Sequence, residues 1–135
     1  MKNILATIVG FIVASVTVYI FETLIGHNLF PLPEGAKPMD MEWIKNNMDQ
    51  IPTGSKIFVV IAHFVGVITG MFIAGLISKT SIIPAYIVGG LMVAATLFNI
   101  FMLPKEVWFT IADGALAFIG FFIGTSLAKK QTSKI

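Results

Sequence analysis

The 135-residue chain has no cysteine, no arginine and little charge. Without cysteine there is no disulfide, no thiolate metal site and no thiol redox chemistry. Without arginine there is no planar fork to clamp a phosphate or carboxylate through two bonds, because all nine basic residues are lysine. Charged residues make up 12% of the chain, about half the roughly 25% of an ordinary soluble domain. The formal charge of +2 gives no reason to expect a nucleic-acid partner, since the lysines fall mostly in turns and at the ends of apolar runs.

What replaces the charge is hydrocarbon. The hydrophobic content is 56% and the mean hydropathy +0.90. Four apolar runs account for it: Ile4–Ile25, Ile57–Ser78, Ile82–Leu103 and Val107–Leu127. Each is close to the ~20 residues that cross a ~30 Å hydrocarbon layer as a helix. Four such runs leave no polar helix faces to meet water. The expected fold is therefore all-α, one polytopic membrane domain built as an antiparallel four-helix transmembrane bundle. Lys2 precedes an apolar run as in an export signal. The run is longer than a signal's 7–15-residue core and lacks a small-x-small site before Glu22, so it is expected to be a retained first span.

Lysine placement orients the bundle. Lys2, Lys79, Lys129, Lys130 and Lys134 lie on one side without acids, while Lys37, Lys45, Lys56 and Lys105 lie on the other among five acids. Basic residues beside span ends favour the cytoplasm. Both termini are expected there, in a multi-pass protein of the bacterial inner membrane. The one long loop, residues 26–56, then faces outward. Pro31, Pro33, Gly35 and Pro38 exclude helix from its first half. Met41, Ile44, Met48 and Ile51 form one helical stripe after Asp40, a capping residue, and Pro52 ends it. This predicts a helix over Asp40–Ile51, lying in the outer interface with Trp43 at headgroup level or closing as a lid over a pocket.

Small residues mark where helices meet, because glycine gains nothing from lipid contact. Gly66, Gly70 and Ala74 recur at four-residue spacing in the second span, and Gly120 and Gly124 do so in the fourth. His63 projects within about 20° of Gly70 and Ala74, so it is expected to face protein. Asp113 stands in the same relation to Gly120 and Gly124. Both residues lie six positions past their span's outer boundary, roughly 9 Å deep at 1.5 Å per residue. Glu22 and Asn99 reach the same slab from the ends of the first and third spans. A carboxylate at that depth costs on the order of 2–3 kcal/mol unless paired, which makes His63 the expected partner of Asp113.

Glu22, His63, Asn99 and Asp113 thus form a candidate binding cluster. Glu22, His63 and Asp113, with His27, are also candidate ligands for a divalent metal, although no local signature such as His-Glu-x-x-His is present. A Ser-His-Asp assembly finds no serine at the required depth, so an enzyme is not the expected reading.

The PLPEG loop with its DMEW, the AHFVGVITG span and MLPKEVWFTIADGALA together resemble a group of small four-span bacterial membrane proteins without an assigned activity. The resemblance implies the four-span fold and no chemistry. Three functions stay open. The first is a bundle whose outward-facing polar pocket binds or passes a proton, cation or small polar solute, alone or as a homo-oligomer. The second is an accessory or assembly protein that packs against a partner membrane protein. The third is an intramembrane enzyme acting on a lipid.

Overall fold

The computed structural model describes residues 1–103 and 106–132, and it is entirely helical apart from turns and the extended strap. Lys105 and Lys134, used above to orient the chain, lie outside the described residues. Helix α1 (Lys2–Tyr19) runs on through a π-helical segment, Ile20–Gly26, into a last short turn, α2 (His27–Leu29). Pro31 explains the stop, because the residue before a proline is pushed out of helical geometry, and Phe30 already has φ −130° and ψ 80°. Helix α3 (Met41–Asn46) and a 3₁₀ turn, Met48–Gln50, belong to the strap that follows. The long helices α4 (Thr53–Ser78), α5 (Ile83–Met102) and α6 (Val107–Thr132) complete the chain. With Lys2–Leu29, they make four helices long and apolar enough to cross a membrane.

Helix ends extend past those read by hydropathy where polar residues take part in a helix, as in α6, which runs beyond Leu127 to Thr132. The first helix continues past Ile25 to Leu29, and α4 starts one turn before Ile57, directly after Pro52. That extra turn carries Ser55 and Lys56 out of the presumed loop and into the folded body, where both are buried.

The strap helix is shorter than its apolar stripe. The carboxylate of Asp40 accepts hydrogen bonds from the Glu42 and Trp43 amides at 3.0 and 3.3 Å, capping α3 where the sequence places the start. The Asn47 carboxamide bonds back to the Trp43 carbonyl at 2.8 Å. Asn47 itself adopts φ −127° and ψ 23°, so the helix stops there instead of reaching Ile51. The stripe also turns inward. Met48 is buried against Val60, Leu103 and Phe109, with Ile44 and Ile51 alongside, while Met41 stays exposed. The strap therefore lies across the ends of the long helices.

Helix α4 is the hub, packed against α1, α5 and α6. Toward α1, contact is nearly backbone to backbone. A Cβ built on Gly70 would lie 2.7 Å from the Ala14 Cβ and 2.9 Å from the Gly10 carbonyl oxygen. One built on Gly66 would meet Val18 at 2.7 Å, and Ala74 abuts Gly10. The Thr69 hydroxyl donates to that of Thr17 at 3.2 Å, and Ser78 donates to the Asn3 carboxamide oxygen at 2.8 Å. Residue numbers fall along α1 as they rise along α4. Toward α6 they rise together: Gly120 rests on Phe64 and Val67, Gly124 on Met71, and Gly75 on Ala128.

Candidate functional site

At the strap end of the helices a cleft of about 600 Å³, counted out to its open mouth, lies between α1, α4 and α5. Glu22 enters it from the π-helical segment of the first helix. Such single-turn widenings recur at functional positions because they redirect side chains that a regular helix would place elsewhere. His63 comes from α4 and Asn99 from the last turn of α5. Asp113 does not line the cleft. It is fully buried behind His63, whose Nδ1 lies 2.7 Å from the Asp113 Oδ1. With the carboxylate ionised, Nδ1 carries the proton and donates it to Asp113. Three of the four residues singled out in the sequence thus share one cleft, and the fourth orients one of them.

Three further polar residues line the same cleft: His27, Ser55 and Lys56. Ser55 lines the cleft toward its outer end, above the level of His63. It is nonetheless no triad member, because it lies eight residues before His63 on one helix, about 12 Å away along the axis. Its Oγ is buried without a hydrogen-bond partner. Ser55 and Lys56 were legible only through Pro52, whose place as a helix start admits one more turn before the apolar run. The remaining wall is apolar, formed by Val59, Leu103 and Phe109 below and Trp43, Ile44, Met48 and Ile51 of the strap above.

The Lys56 ammonium, 3% exposed, is ion-paired to Glu106 at the start of α6. The Trp108 indole N–H donates to the other carboxylate oxygen of Glu106 at 2.6 Å. The bond from Lys56, and then that from Trp108, hold the Glu106 carboxyl below the usual carboxylate range. A depressed acid contributes stability above its unfolded pKa and loses it as pH falls through the folded value. Thermal stability should therefore stay level down to the ordinary carboxylate range and drop only at more acid pH. Glu106→Gln should lower the melting temperature more than Lys56→Met does. The first strands a buried ammonium, whereas the second leaves a carboxylate that already meets water. The reverse order in melting curves would mean that Lys56 reaches solvent by another route.

Among the described residues no three His, Asp or Glu side chains converge to hold a metal ion. Asp113, one of the candidate ligands, is turned to His63. Comparison with family models, curated proteins and solved structures finds no match for the chain. The fold and cleft define an all-helical protein with four helices of membrane-spanning length and one polar recess at the strap end.

Proposed function

We infer that this is a multi-pass protein of the bacterial inner membrane, an antiparallel four-helix bundle that binds a small polar or charged solute from the outer face. The observation that carries this reading is the convergence of Glu22, His63 and Asn99, from three different helices, on one cleft beneath the strap. Packing alone would be served by apolar residues there, without the desolvation cost of an acid and an imidazole. The lysine-flanked ends lie opposite the cleft, which supports cytoplasmic termini and an outward mouth.

The absence of cysteine makes the test direct. In intact cells a membrane-impermeant maleimide should label Asn99→Cys and His27→Cys, in the cleft. It should label Thr80→Cys and Ser126→Cys, at the opposite end, only after permeabilisation. The opposite pattern would overturn the orientation. No labelling of either cleft position from outside would overturn the outward-facing cleft.

A further inference from the structure

We propose that the ligand of the cleft is an organic monocation, an amine with a small apolar body, whose ammonium group is held by Glu22. This rests on the cleft-binding reading above and names its substrate class.

Charge in and around the cleft leads to that class. Lys56 is matched by Glu106, and Asp113 is matched by His63. Glu22 remains, and among the described residues its carboxylate makes no hydrogen bond or ion pair. A partly buried carboxylate in an apolar surrounding is satisfied by a cation, or else by a proton. An anionic ligand would add to the negative charge, with no arginine anywhere in the chain to receive it. A neutral ligand would leave Glu22 as it is. A divalent ion would need several converging acids or imidazoles, and no such group exists among the described residues.

The lining decides between an inorganic and an organic cation. Most of the wall is apolar and gives a bare ion nothing to bind. Recesses that are mainly apolar with a few placed polar groups suit small organic molecules. Here Trp43, Met48 and Ile51 of the strap, with Phe109, offer a surface to a hydrocarbon body, and the ring of Trp43 adds a face that attracts a cation.

The experiment uses calorimetric titration of the full chain in detergent, with protein-free micelles as reference, and three probes of one shape. These are 2-phenylethylamine, 2-phenylethanol and 3-phenylpropanoate. The amine should bind saturably, about tenfold or more tighter than the alcohol, as a charge-assisted bond of about 1.5–3 kcal/mol implies. Glu22→Gln should erase that preference, leaving amine and alcohol alike. Glu22→Asp, which keeps the charge, should retain most of it, so a folding defect of one variant is told apart from a loss of charge. Glu34→Gln, in the exposed strap, should leave amine binding unchanged. Alcohol or carboxylate binding as tight as the amine would overturn the amine class and keep the cleft. Binding of no probe to a protein whose cleft cysteines still label from outside would overturn the amine class alone. If labelling fails as well, the cleft reading falls with it.

Discussion

Gly70→Leu should largely unfold the protein in detergent, whereas Gly90→Leu should leave it as stable as the parent or slightly more so. Both are glycines within long helices, so helix propensity favours each replacement by about 0.5–1 kcal/mol. Their surroundings are opposite. The Cβ of a residue at 70 would lie 2.7 Å from the Ala14 Cβ and 2.9 Å from the Gly10 carbonyl oxygen, closer than real contacts allow. Neither neighbour is a flexible side chain that could swing away, so α1 and α4 must separate. Separation also undoes the close packing of Gly66 and Ala74 on the same face. Overpacking of a flexible core costs about 1–3 kcal/mol, and here a backbone must yield and three further carbons follow the Cβ. Around Gly90 a new Cβ would meet nothing within 4 Å. Melting curves of the two variants decide the matter, and equal tolerance would show that α1 and α4 do not rely on this contact.

The second large effect concerns the buried pair. His63→Leu should cost more stability than Asp113→Leu, and the double replacement should recover much of the loss. Asp113 is fully buried, so removing the ring takes a charge-assisted bond from a carboxylate that water does not reach. Breaking a buried pair from that side costs about 3–5 kcal/mol. His63 is 12% exposed and lines the cleft, so without Asp113 it can rest as a neutral imidazole, at about 1–3 kcal/mol for the lost bond. With both polar groups replaced by leucine no buried charge remains, which is why such doubles are often close to neutral in stability. Thermal melts of the two singles and the double in the same detergent measure the coupling. Additive losses in the double would show that the 2.7 Å contact carries no shared energy.

Much of this was legible in the chain. Run lengths identified the four long helices, since hydropathy over about 20 residues is a local property that neighbours hardly alter. Glycine spacing identified the packing faces of α4 and α6, and depth counting brought His63 to the level of Asp113. The cap at Asp40 followed from residue type alone. What escaped was whatever depends on a partner distant in sequence. Gly10 and Ala14, against which the α4 glycines close, carry no signal that separates them from other small residues in an apolar run. Lys56 read as a loop charge because its partner, Glu106, is fifty positions away.

The strap marks the same division. Its amphipathic stripe announced a helix and one apolar face, and both follow from the order of residues. The periodicity serves equally well for a helix lying on lipid and for a lid lying on protein, because both bury the stripe. Only the assembled helix ends show what the stripe meets in the protein, by offering Val60, Leu103 and Phe109 as a surface on which Met48 is buried. The composition of the chain thus sets four apolar helices and a set of polar residues at common depth. Which of those residues share a cleft, which one stands behind another, and which carboxylate is left without a partner are settled by packing. A side chain's neighbours depend on how each helix is rotated about its axis, and that rotation is fixed by contacts along the whole length of α4.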